Sequence, residues 1–251
     1  MKPADLPIVG PPLNTDKDYV PHFTDLAGKR VLCIGYSEVE IDELVAKYNP
    51  SSIEVLTNWA EHKDAQVGKY PLTIGDITKR TPYSDDHFDT ILTLSVLEHL
   101  GGLRGACEEM RRIVKNGGEL LHLFGPAWSS AYGHHCYAKL GDRLLDFCQW
   151  SLPAHSHLLC SRPEIVDYFL ANGYEPEVAN LALHWYFETP LINRLFFDVY
   201  ADTLAEMFQP DRVEYMRTAL PAEHLATLRE QYPGRRDFSS YGAKFRSIVV
   251  K

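Results

Sequence analysis

Residues 128–135 read Trp-Ser-Ser-Ala-Tyr-Gly-His-His and follow directly on an apolar run that ends at Phe124. A histidine with a pKa near 6.5 can take a proton from a hydroxyl at neutral pH, so His134 or His135 is the candidate general base of the chain. The alternative for such a pair is that one ring orients the loop while the other is solvated. Cys136, His155, His157 and Cys160 follow within a short stretch. Their spacing matches no standard zinc pattern, and adjacent histidines rarely share one ion, so no metal is expected. Glu98-His99 ends another apolar run and reads as a structural hydrogen-bonding pair rather than an acid–base dyad. Gly75-Asp76 has the composition of a turn.

The apolar pattern defines the elements that must position these residues. Phe88 to Leu94 is rich in β-formers and has the length of a buried strand. After the break Ser-Val-Leu-Glu-His, the residues Leu103, Cys107, Met110 and Val114 recur three or four apart, which predicts a helix. Lys115 suits its negative end, and Asn116-Gly117-Gly118 predicts its stop. A second apolar run, Leu120 to Phe124, completes a βαβ unit with parallel strands and a right-handed crossover. Ligands bind at the carboxyl ends of such strands, here Ser95–His99 and Phe124–Trp128.

Upstream, strands are expected at Lys29–Gly35, Ile53–Thr57 and Pro71–Ile74. A helix is expected at Glu38–Tyr48, with Val39, Leu44, Val45 and Tyr48 available for its buried side and Asn49-Pro50 as its stop. Residues 1–27 hold Pro3, Pro7, Pro11, Pro12 and Pro21 and read as an irregular arm, with Tyr19 and Phe23 available for packing. Residues 129–160 form a long insertion, helix-like around Leu140–Trp150. Ser161, Pro163 and Glu164 open a helix whose stripe is Ile165, Phe169 and Leu170 and whose stop is Gly173. A sixth strand is expected at Tyr174–Leu183, helical patterns at about 190–208 and 221–231, and a last strand at Phe245–Val250.

The order FDTILTLSVLEHL, then RRIVKNGG, then an apolar strand resembles the second half of a class I S-adenosylmethionine-dependent methyltransferase domain. The resemblance covers residues 29–126 closely and 161–183 and 241–250 loosely. It implies an α/β fold, with a doubly wound, mostly parallel seven-stranded sheet of the Rossmann-like methyltransferase type, the last strand antiparallel. An N-terminal arm over 1–28 and helical cap insertions at about 127–160 and 184–237 would complete the domain of residues 29–251. The implied cofactor is S-adenosylmethionine. Gly35 and Tyr36 would meet its amino-acid end, Thr57 or Asn58 its ribose, Trp59 its adenine face, Asp76 and Ile77 its adenine, and Leu94 and Ser95 its methionine portion. The implied reaction is methyl transfer to a small-molecule or peptide acceptor, with oxygen favoured because His134 or His135 can take the proton as the methyl arrives. A competing reading is a cofactor-free binding or scaffold protein of this fold, which a strand-one turn filled by Tyr36 or Glu38 would favour. A nucleotide-dependent dehydrogenase lacks its GxGxxG turn here.

Composition narrows the partners. The formal net charge of −9 without a Lys/Arg run argues against a nucleic-acid footprint. No apolar run approaches the ~20 residues of a membrane span, and no basic segment with an apolar core opens the chain. Five cysteines without a CxxC fit a reduced protein, so a cytoplasmic location is expected. Oligomeric state leaves no signature in the sequence.

Overall fold

The computed structural model describes residues 1–15, 20–58 and 69–251; Tyr19 and Trp59 lie outside the described residues. The proline-rich arm contains more regular structure than its composition suggests. A 3-10 turn occupies Pro3–Asp5, and a four-residue helix, α1, occupies Val20–Phe23. Leu6, Val9, Val20, Phe23 and Leu26 are all buried, so apolar burial offsets what the prolines deny to hydrogen bonding.

β1 (Arg30–Ile34), α2 (Glu38–Tyr48), β2 (Ser52–Thr57), β3 (Leu72–Ile74), β4 (Phe88–Leu94), α3 (Leu103–Ile113) and β5 (Val114–Phe124) follow in order. A Ser37–Glu40 capping box starts α2, and Asn49 in the left-handed conformation ends it. Its buried residues are Ile41 and Leu44, whereas Val39 is 67% exposed. Two residues along a helix is about 200° around it, so Val39 and Ile41 cannot share a face. Leu103, Ala106, Cys107, Met110 and Ile113 form the buried stripe of α3. The helix gives way directly to β5 at Val114, so Asn116-Gly117-Gly118 belongs to the strand rather than to a helix stop. Gly117 N donates to Val249 O at 2.7 Å and Val249 N donates to Gly118 O at 2.8 Å, which ties these glycines to the C-terminal segment.

β6 (Tyr137–Leu140) and β7 (Arg143–Asp146) form an antiparallel hairpin where a helix was expected. Gly141, at φ 57°, takes the first position of the two-residue turn Gly141-Asp142, a position that favours glycine and fixes the register of both strands. α4 (Ser156–Leu159) precedes α5 (Arg162–Ala171), whose Ser161–Glu164 capping box and Pro163 match the sequence signals. Ile165 and Phe169 are buried on α5, but Leu170 is 43% exposed. α6 (Pro176–Leu183) is a helix in place of the expected strand. Proline stands in its first turn, and Val178, Ala179 and Ala182 are buried at helical spacing. It runs on into a π-helical turn at His184–Glu188. α7 (Phe197–Phe208), β8 (Arg212–Arg217), α8 (Ala222–Gln231) and β9 (Ser240–Ile248) complete the order.

The seven strands are arranged β3-β2-β1-β4-β5-β9-β8. The pairs among β1 to β5 are parallel, and β9 runs antiparallel to β5. The chain thus has the doubly wound, mostly parallel α/β sheet that the sequence implied. The remaining sheet-edge strand is β8, not residues 174–183.

Two compact units divide the chain. The sheet unit comprises Asp16–Phe124, Tyr200–Glu214 and Ala243–Lys251. Its centre is built from Val31, Leu32, Ile91, Leu92, Leu120 and Leu121, all fully buried, as expected for parallel strands covered on both faces. The second unit comprises Met1–Thr15, Gly125–Val199 and Tyr215–Gly242. Tyr132, Phe169 and Tyr186 dominate its core.

Candidate active site

In the sheet unit, strand register sets the proposed cofactor residues. Ile34 pairs with Leu56 on one side and Thr93 on the other, and Thr57 pairs with Ile74. The carboxyl ends of β1, β2, β3 and β4 therefore lie along one edge of the sheet. That edge brings together Gly35, Tyr36, Thr57, Asn58, Asp76, Ile77, Leu94 and Ser95. Gly35 has φ 82°, and a Cβ built there would lie 2.3 Å from Leu94 O and 2.5 Å from Val96 Cγ2. Only glycine allows the β1 turn to approach the end of β4 this closely. Ser95 also has a positive φ, 51°, and its amide donates to Leu123 O at 2.8 Å.

Asp76 is tied into its own turn. Oδ1 accepts from Thr78 N at 2.9 Å and from Thr78 Oγ1 at 2.7 Å, and Oδ2 lies 3.2 Å from Lys79 Nζ. Burial raises its pKa, but the two Thr78 hydrogen bonds and the Lys79 ammonium outweigh burial and leave it below the usual carboxylate value. The carboxylate is thus ionised and an acceptor. Ile77 beside it is buried, and Asn58 is exposed. Glu38 is also exposed, so its side chain does not fill the strand-one turn. Exposed backbone at Gly35 and Ser95, an ionised Asp76 and an apolar Ile77 form a donor and acceptor set that fits S-adenosylmethionine. At the end of β2 no acid is present, and the residue that follows the strand is Asn58.

In the second unit, tight turns place the two candidate bases. Gly133 N donates to Ser130 O and His135 N donates to Tyr132 O, both at 3.1 Å. A Cβ at Gly133 would meet Trp128 O at 2.3 Å, so the glycine before the two histidines is required sterically. The histidines then differ in protonation. His134 Nδ1 accepts from Cys136 N at 3.0 Å, which leaves the neutral ring's proton on Nε2. The ring is fully buried, stacked on Tyr186 at 4.2 Å, and lies edge-on to His157 at 5.3 Å. Burial, then the neighbouring histidines, hold its pKa well below 6.5. His135, at φ 48°, has Nδ1 2.8 Å from Gly133 O. A carbonyl only accepts, so Nδ1 carries the proton and Nε2 keeps the basic lone pair.

Other groups complete this unit. His155 Nε2 donates to Ser129 O and Phe238 O, both at 3.1 Å, so its Nδ1 accepts from His224 Nε2 at 3.0 Å. His157 Nε2 donates to Trp128 O at 2.7 Å, and burial pushes its pKa down to about 4. Ser156 Oγ and Tyr186 OH share a hydrogen bond of 2.9 Å. The roles of His224, Tyr186 and Arg194 were missed by sequence reasoning. The one local signal was Arg194 itself, a lone cation in the apolar run Leu191-Ile-Asn-Arg-Leu-Phe-Phe197.

Residues 21–122 match the family described as a methyltransferase domain. No curated protein matches the chain. Among solved structures, an S-adenosylmethionine-dependent methyltransferase from Mesorhizobium loti is 11% identical, with 91% of this chain and 94% of that chain covered at a TM-score of 0.53. A chain in the complex between the Haloferax volcanii Trm112 methyltransferase activator and its methyltransferase is also 11% identical, with coverage of 92% and 87% and a TM-score of 0.53. Geranyl diphosphate C-methyltransferase from Streptomyces coelicolor, with S-adenosyl-L-homocysteine bound, is 12% identical over 92% and 74% at a TM-score of 0.50. At such identities these likenesses speak for the fold alone. The methyltransferase-domain match covers residues 21–122, and the sheet order with its antiparallel β9 is that of the methyltransferase fold. Among the described residues, no helix is long and apolar enough to cross a membrane.

Proposed function

We propose that the chain transfers a methyl group to an oxygen of a small-molecule or peptide acceptor, with His135 as general base. When bound, S-adenosylmethionine supplies an already electrophilic methyl group, which leaves alignment and proton removal to the protein. Gly35, Asn58, Asp76, Ile77 and Ser95 would hold it along the carboxyl edge of β1–β4. The observation that favours oxygen is the tautomer of His135. Its Nδ1–H is anchored on Gly133 O, which puts the basic lone pair on Nε2, the nitrogen that would take a hydroxyl proton. His134 has the opposite tautomer, its lone pair engaged by Cys136 N–H, so it serves as support for the loop.

The test is methyl transfer by His135→Gln against wild type, alongside S-adenosylhomocysteine affinity. The expected result is a fall in kcat of about 10² to 10⁴ with unchanged cofactor affinity. Retention of kcat in His135→Gln would overturn the assignment.

A further inference from the structure

Arg194 holds a charge that the second unit does not neutralise. Its Nε and Nη2 atoms are buried and have no hydrogen-bond partner, and among the described residues no carboxylate forms an ion pair with it. By contrast, Arg112 meets Glu109 and Asp85, and Arg162 meets Glu188. Isolated cations are seldom taken out of water without compensation, because the lost hydration is costly. Burial accordingly lowers the Arg194 pKa.

The guanidinium is held in place rather than loose. It lies over the Trp128 ring, 5.3 Å from its centroid, a favourable cation–π arrangement. The backbone of Arg194 is in the left-handed region at φ 54°. Leu195 N donates to Asn193 Oδ1 at 3.1 Å and Trp128 N donates to Leu195 O at 3.0 Å, which fixes the chain on its carboxyl side. His157 packs edge-on against the same Trp128 ring, centroids 4.5 Å apart. Its Nε2 is committed to Trp128 O, which leaves Nδ1 as a buried acceptor without a partner.

The two orphaned arginine nitrogens are not an arbitrary pair. Nε–H and the Nη2 amino group form the side-on edge of the guanidinium, whose two parallel N–H bonds match the two oxygens of a carboxylate or phosphate. We propose that Arg194 is an oxyanion-binding residue of the second unit, receiving a carboxylate or phosphate group of a small acidic ligand bidentately on its Nε–Nη2 edge. Trp128 forms the surface beneath the guanidinium. The orphaned Nδ1 of His157 is an acceptor for a protonated oxygen in the same neighbourhood. This inference does not depend on the methyl-transfer reading, since it concerns a binding site and not a reaction.

The test is a calorimetric titration of the full chain, at low salt and without S-adenosylmethionine, with inorganic phosphate and separately with benzoate. Wild type, Arg194→Met and Arg194→Lys are compared. The expected result is saturable binding of at least one probe to wild type, weakened about tenfold or more in Arg194→Met. Arg194→Lys keeps the charge and loses the fork, so it binds with intermediate affinity. The probe that binds more tightly identifies the oxyanion as carboxylate or phosphate. Because Arg194→Met removes a part-buried cation that has no carboxylate partner among the described residues, its melting temperature without anion is equal to or above that of wild type, and the bound probe raises the melting temperature of wild type only. No saturable binding to wild type, or equal affinity in Arg194→Met, overturns the proposal. So does a melting temperature that drops on substitution and rises equally with anion in both proteins. Methyl-transfer activity in His135→Gln is a separate readout, so the two assignments can fail independently.

Discussion

Gly35 shows how a single methyl group can decide a site. A Cβ there would overlap Leu94 O at 2.3 Å, and the φ of 82° is itself unfavourable for alanine. Gly35→Ala is therefore expected to lower stability by about 1–3 kcal/mol, as overpacking does, and to weaken S-adenosylhomocysteine binding by separating the β1 turn from the end of β4. Thermal melts with and without ligand check both effects. An alanine variant with wild-type melting temperature and affinity would show that the close approach is dispensable. At this scale the sequence was informative about residue type and silent about protonation. His134 and His135 are neighbours of one type, and only their partners, Cys136 N and the Gly133 carbonyl, assign them opposite tautomers. Arg194 stands out in sequence only as a lone cation among apolar neighbours, and its buried Nε and Nη2 without partners are a property of the fold.

At the scale of elements, α3 is anchored through its own polar side. Arg112 donates from Nε to Glu109 Oε2 at 2.8 Å and from Nη2 to Glu109 Oε1 at 2.6 Å. It also reaches Asp85 at 2.7 Å and Tyr83 O at 2.9 Å. Glu109 is only 7% exposed and accepts in addition from Thr81 N and Oγ1. Burial raises the Glu109 pKa, but the Arg112 and Thr81 hydrogen bonds outweigh burial and keep it lowered. Arg112→Ala would leave a buried carboxylate without its cation and is expected to cost about 2–3 kcal/mol in chemical denaturation. Arg104→Ala, which breaks the exposed Arg104–Glu206 pair, is the control and is expected to change little. Equal effects in the two variants would count against the α3 anchor.

The Arg-Arg-Ile-Val-Lys-Asn-Gly-Gly segment was legible as a helix end leading into a strand, but the boundary was not, because the glycines are captured by hydrogen bonds to the C-terminal segment. The two element types misread from sequence have similar causes. Around Leu140–Trp150, apolar spacing suited a helix, but Gly141-Asp142 closes a two-residue hairpin turn. In residues 174–183 the apolar content suited a strand, but Pro176 and the alanines favour a helix.

For the molecule as a whole, buried histidines should dominate the response to acid. Burial lowers the His157 pKa to about 4 and the His122 pKa to about 3, and drives His134 and His155 well below 6.5. The folded chain therefore keeps these rings neutral at pH values where the unfolded chain has already protonated them near pH 6.5. Their contribution is fully present above about pH 6.5 and is lost as pH falls from there through the folded pKa of each ring. For His157 alone the loss between pH 6.5 and 4 is about 3 kcal/mol. Urea melts at intervals across this range should show stability falling with acid, with a shallower fall in His157→Gln. A profile that stays flat between pH 6.5 and 4.5 would contradict neutral burial of these rings.

Much of the sheet unit was determined by the sequence alone. Its central strands carry apolar runs, Val31–Ile34, Ile91–Leu94 and Leu120–Phe124, and α2 carries a local start signal, the Ser37–Glu40 box. Local periodicity and capping therefore specified elements, and the short joints between them specified parallel order. Tertiary structure alone decided what non-local packing controls: residues 212–217 supply the remaining sheet-edge strand, Val249 just after β9 captures the glycines of β5, and His155 meets Ser129, Phe238 and His224. The same holds at the histidine pair after Gly133 and at Arg194. Residue type supplied a titratable ring and a cation there, but hydrogen-bond partners and burial, which only the folded chain provides, determine where the lone pair lies and that the cation stands uncompensated.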